Sequence, residues 1–103
     1  MQRQAELRRR YIEAQFRLGV AYQGQGNHRQ ALACYQSVTS YDPYHDQAHA
    51  AILRCYVLLE QRSQAIRYYR DLRAYLREEL GVAPDPHITS YVKTLMPQTD
   101  VGP

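Results

Sequence analysis

The sequence predicts an all-α fold of antiparallel helical hairpins, with about five helices. Three observations predict it. Sliding the 103-residue chain on itself by 34 residues pairs Ala14 with Ala48, Tyr22 with Tyr56, Gln30 with Gln64, Ala31 with Ala65, Tyr35 with Tyr69 and Tyr41 with Tyr75. Leu18/Ile52, Leu32/Ile66 and Val38/Leu72 match in character. Self-similarity at that period is the signature of a helical repeat. Within each unit the apolar residues recur every three or four positions, the spacing of one helix face. No segment alternates with period two, so no sheet is expected.

The first helix is predicted over 4–24, where Leu7, Tyr11, Ala14, Leu18 and Tyr22 form a stripe. Gly24-Gln25-Gly26-Asn27 breaks it, because glycine adopts the left-handed turn that ends a helix. Ala31, Leu32, Tyr35 and Val38 place a second helix over 28–40. Asp42-Pro43 ends it, since proline cannot continue a helix and restricts its predecessor. Ala48, Ile52, Cys55, Tyr56 and Leu59 place a third over 45–60. Ala65, Ile66, Tyr69, Leu72, Leu76 and Leu80 place a fourth over 62–80, stopped by Gly81. Asp85-Pro86 reads as an N-cap followed by proline at the first helical position, opening a fifth helix over 86–96. Pro97 closes it, and 98–103 reads as a flexible tail. Short loops make neighbouring helices antiparallel.

Composition narrows the function. At 103 residues the chain is one domain, 1–97, with repeats at about 11–44 and 45–80 and a capping helix at 86–96. Apolar residues make up 45% and charged residues 22%, which suits a folded domain. No apolar run is long enough to span a membrane, and no signal peptide is visible. Two cysteines make no disulfide framework, so a cytoplasmic location is expected. The net charge of +3 is too small to argue nucleic-acid binding by itself.

Several residues then carry a resemblance. Leu18-Gly19, Tyr22, Gly26, Ala31, Tyr35 and Pro43 fall where the tetratricopeptide repeat has its own leucine-glycine pair, tyrosine, turn glycine, alanine, aromatic and proline. Such repeats stack as a right-handed superhelix. The second unit departs from that pattern: Leu53 stands for the glycine, Glu60 for the turn glycine and Arg77 for the proline. With Arg77 there, the fourth helix is expected to run on to Leu80. The stretch from Arg77 to Pro86, the opening Leu7-Arg8-Arg9-Arg10-Tyr11-Ile12-Glu13-Ala14, and the middle residues Gly26, Ala31-Leu32, Tyr35, Asp42-Pro43 and Ala48-His49 together resemble the bacterial transcriptional activator domain of SARP-type regulators. The resemblance covers about 7–96. It implies a non-catalytic regulatory and protein-interaction domain of a bacterial transcription regulator. Its expected partners are proteins: an upstream winged-helix domain, another copy, or another regulator component. DNA would be met only indirectly, through a separate domain. A generic adaptor of the same repeat type, unrelated to transcription, is the alternative.

The candidate sites follow. In the repeat geometry the inner helix of each hairpin lines a concave face, which gives Glu13, Phe16, Val20, Gln23, Gln47, Ala50, Arg54 and Val57 as candidate protein-binding residues. Arg8, Arg9 and Arg10 are candidate phosphate or interdomain contacts, or else a solvated helix face with Glu6–Arg10 and Glu13–Arg17 at i,i+4. His45 and His49 share the i,i+4 spacing that can hold zinc, but no third and fourth ligand accompany them. They are read as packing residues, and no metal site is assigned. Cys34 and Cys55 lie on apolar stripes and read as core filler rather than nucleophiles. No catalytic constellation and no cofactor motif is found. Two repeats bury little area, and the first helix has a second apolar face at Ile12, Phe16 and Val20. The chain is therefore expected to self-associate or to need a partner.

Overall fold

A computed structural model describes residues 2–96. The predicted tail, 98–103, and the closing Pro97 lie outside these. Five helices follow in order: α1 Gln2–Gly24, α2 His28–Tyr41, α3 Asp46–Leu58, α4 Arg62–Leu80 and α5 Pro86–Leu95. No strand occurs among the described residues. The main packing runs between consecutive helices, so the molecule is a stack extended to 51 × 36 × 17 Å. None of the described helices is long and apolar enough to cross a membrane.

The 34-residue repeat is written into the backbone hydrogen bonds. Asn27 donates its N–H to the Tyr22 carbonyl at 2.9 Å, and Gln61 donates to Tyr56 at 2.7 Å. Gly26 to Gln23 is matched by Glu60 to Val57, and Ala31 to Asn27 by Ala65 to Gln61. The same turn therefore closes both hairpins. Gly26 makes it with φ +76°, and Glu60 reaches φ +62° in the same place. That is the left-handed region, which costs a residue bearing a Cβ about 1–2 kcal/mol. The caps differ as well. The Asn27 side chain accepts from the Gln30 N–H at 3.3 Å, whereas Gln61 gives no side-chain cap.

Two clusters make the core. Ala31, Tyr35, Ala51, Ile52 and Cys55 join the first hairpin to α3. Leu53, Ala65, Tyr69, Ile88, Val92 and Leu95 join the second hairpin to α5. Tyr22 and Tyr56, the repeat-related pair, are both half-buried against the first cluster. Tyr35 and Tyr69 are both buried, and each hydroxyl is bonded: Tyr35 donates to Gln23 Oε1 at 2.7 Å, and Tyr69 pairs with Thr89 Oγ1 at 3.0 Å.

The Gly19/Leu53 difference separates the two hairpins. A Cβ on Gly19 would stand 2.7 Å from Cε1 of Tyr35, so the bare backbone lets the ring lie against α1. Leu53 fills the equivalent space, and α3 meets α4 less extensively than α1 meets α2. The opened end is filled from α5 by Ile88, Val92 and Leu95. At Arg77 the helix continues as expected, to Leu80, and Gly81 caps it at φ +67°.

One expectation is corrected. Of the stripe Leu7, Tyr11, Ala14, Leu18 and Tyr22, only Tyr22 turns inward. The covered side of α1 is instead Ile12, Gln15, Phe16, Gly19, Tyr22 and Gln23, also at three- and four-residue spacing. Close approach decides this: α2 docks where Gly19 admits the Tyr35 ring, not where apolar side chains are densest.

Candidate functional site

The site begins with the side of α1 next to its buried face. Phe16 is held by two aromatic neighbours, the Tyr35 ring at 5.5 Å and the His45 ring at 5.2 Å between centroids. His45 is fixed in turn as the N-cap of α3, its Nδ1 accepting from the Ala48 N–H at 3.1 Å. These contacts set α1 and α3 side by side with a trough between them. Phe16, Val20 and Gln23 from α1 face Gln47, Ala50 and Arg54 from α3 across a groove of about 410 Å³. Tyr35 and Ala51 line it from the core side. Thus six of the eight candidate residues line one surface.

Glu13 and Val57 do not line it. Phe16 already meets the N-cap of α3, so a residue one turn earlier has no α3 residue opposite, and Glu13 is exposed. Val57 lies past Arg54 and packs half-buried against the cluster around α5. Further lining residues lie outside the predicted set. Asp85, His87 and Ile88, at the start of α5, belong to the groove, as does Asp46. The available signal was the Asp85-Pro86 cap: Asp85 accepts from the His87 N–H at 2.8 Å and fixes where α5 begins. α5 is therefore a wall of the groove as well as the cap of the stack.

The groove has an apolar centre and a polar rim. Val20 is 50% exposed although it is fully aliphatic. Arg54 lies over the Tyr91 ring at 5.7 Å, which holds a guanidinium beside the apolar floor. Gln23 is positioned by the Tyr35 hydroxyl. Such a surface can hold a polypeptide through apolar contact and amide hydrogen bonds.

The remaining candidates sit elsewhere. Arg8, Arg9 and Arg10 are exposed on the N-terminal half of α1. Arg10 pairs with Glu6 at 2.9 Å, whereas Glu13 and Arg17 form no ion pair. His49 is 6% exposed, and both ring nitrogens are engaged: Nε2 with the Pro43 carbonyl at 2.7 Å and Nδ1 with the Tyr68 hydroxyl at 2.7 Å. A carbonyl only accepts, so Nε2 carries the proton and Nδ1 accepts from Tyr68. With His45 committed to its cap, neither imidazole is presented to a metal. Burial lowers the His49 pKa and raises that of Tyr68 to about 12. Cys34 and Cys55 are buried free thiols. Burial raises both, Cys55 to about 11, so they stay protonated and act as core filler.

The model of one protein family, the bacterial transcriptional activator domain, matches residues 1–96. No curated protein and no solved structure matches the chain.

Proposed function

Because the chain belongs to the bacterial transcriptional activator domain family, we propose that it serves a transcription regulator as a non-catalytic protein-interaction domain. Its working surface is the groove between α1, α3 and the start of α5. A polypeptide lies there, with apolar side chains on Phe16, Val20 and Ala50 and polar groups on Gln23, Gln47 and Arg54. That contact with a neighbouring domain, protomer or partner adjusts the activity of the part that reads DNA.

The observation that supports this reading is the convergence of those six residues, from two separate repeats, on one accessible surface with an exposed valine. Both cysteines are buried with raised pKa, and both ring nitrogens of His49 are engaged, in keeping with a family that is regulatory rather than enzymatic.

Two carboxylates in the groove test it. Val20→Glu with Gln47→Glu puts charge on both walls of the groove at exposed positions outside the buried clusters. RNA sequencing of cells carrying this variant is expected to match that of cells lacking the chain, with protein level and melting temperature retained. A transcript profile matching the unsubstituted protein would overturn the reading.

A further inference from the structure

α1 carries an apolar seam that the fold leaves bare. Leu7, Tyr11 and Leu18 are 56%, 42% and 43% exposed, and Ala14 between them is exposed too. Their steps of four, three and four residues are those of a heptad seam. Tyr41, 52% exposed, lies edge-on to Tyr11 with ring centroids 5.1 Å apart and widens the patch. Large apolar side chains aligned in this way form a contact surface, unlike singly scattered ones.

Two further features say what fits it. α1 outruns its hairpin partner. It has 23 residues against 14 in α2, and the Tyr11–Tyr41 contact falls at the last residue of α2. Gln2–Arg10 therefore project as ~13 Å of helix, and every residue in them is exposed. The hairpin-bound half of α1 supplies the nucleus for this extension, which presents a free helix surface for another element to pack on.

The second feature is charge. Arg3, Arg10 and Arg17 recur every seven residues along one flank of the seam, and Arg8 and Gln15 stand on the other flank. Glu6 and Glu13 lie farther round the helix, and of these only Glu6 pairs with an arginine, Arg10. No acidic residue of α1 occupies a flank position, and the pair with Glu6 leaves Arg3, Arg8 and Arg17 as the flank charges with no ion pair among the described residues.

This pattern selects the occupant. A second copy laid parallel would set the arginine flank against Arg8 and Gln15. Laid antiparallel, it would set arginine against arginine. Like charges across a helical seam oppose pairing either way. Nucleic acid would be met by the arginines but gives no use for Leu7 and Leu18. We propose that the outer face of α1 docks an amphipathic helix from another polypeptide, one with an aliphatic seam and acidic flanks. This surface is distinct from the groove, and the inference does not rest on the groove's proposed role.

The test uses two synthetic helical peptides of about four heptads, with leucine at the seam positions and either glutamate or lysine at both flanks. Fluorescence anisotropy measures their binding to the full chain. The glutamate peptide is expected to bind about tenfold or more tightly than the lysine peptide, and to weaken as salt rises. Leu7→Gln with Leu18→Gln should abolish that binding, and Arg3→Glu, Arg10→Glu and Arg17→Glu together should reverse the preference. Val20→Glu in the groove should leave it unchanged. These side chains are exposed, and circular dichroism checks that each variant stays helical. Equal binding of both peptides, or binding that survives the leucine substitutions, would overturn the proposal. So would dimerisation or duplex DNA binding that the leucine substitutions abolish.

Discussion

Gly19 and Tyr35 are the residue pair on which the first hairpin closes. A methyl group at position 19 would stand 2.7 Å from a ring carbon of Tyr35, which is 1% exposed. Overpacking of this kind costs roughly 1–3 kcal/mol, and alanine returns up to about 1 kcal/mol of helix propensity. Gly19→Ala is thus expected to lower stability by about 1–2 kcal/mol in urea unfolding, and Tyr35→Leu should relieve part of that loss in the double variant. His49 supplies a pH dependence. Its folded pKa lies below its ordinary value because burial disfavours the charged ring. The unfolded chain takes up this proton first as pH falls below about 6.5. The His49 contribution is complete above that point and is lost as pH falls toward the lower, folded pKa. Melting temperature should drop between pH 7 and pH 5, and less steeply in His49→Gln. The sequence made Gly19 and Tyr35 recognisable as repeat positions. It could not show the Pro43–His49–Tyr68 chain, which needs residues from three separate segments.

At the scale of elements, the helices were legible because their caps are chemical: Asn27, Asp42-Pro43, Gly81 and Asp85-Pro86 act within a few residues of themselves. The facing of α1 was not. Two stripes at helical spacing compete on that helix, and the wholly apolar one, Leu7, Tyr11, Ala14 and Leu18, stays outside. Backbone approach at Gly19 chose between them, a tertiary effect that periodicity does not carry. The role of α5 in the groove was hidden for a related reason. Leu53 in place of glycine opens the second hairpin, and α5 fills the opening and brings Asp85, His87 and Ile88 to the groove. The second turn offers a direct check. Glu60 holds a left-handed backbone that Gly26 holds without strain. Glycine also has more unfolded freedom to lose, so Glu60→Gly should raise stability by only about 0.5–1 kcal/mol in denaturant unfolding. The same substitution for alanine, Gly26→Ala, should lower it.

Taken as a whole, the molecule is a short stack whose helices rest mainly on their chain neighbours. Two and a half hairpins leave much of that stack open, and the open parts fall on different faces: the groove shared by α1, α3 and α5, and the outer seam of α1 with Tyr41. Six of the groove residues could be placed from repeat register alone, because register fixes which side of an inner helix faces its neighbour in the stack. The seam could be seen as apolar but not as exposed, since that depended on where α2 docked. Site-specific photocrosslinking in living cells decides whether the groove holds a polypeptide, with a benzophenone side chain placed in turn at Val20, Gln47 and, on the far end of α4, Glu78. Val20 and Gln47 should crosslink to the same polypeptide while Glu78 does not. No crosslink at either groove position, or an equal yield at Glu78, would contradict it.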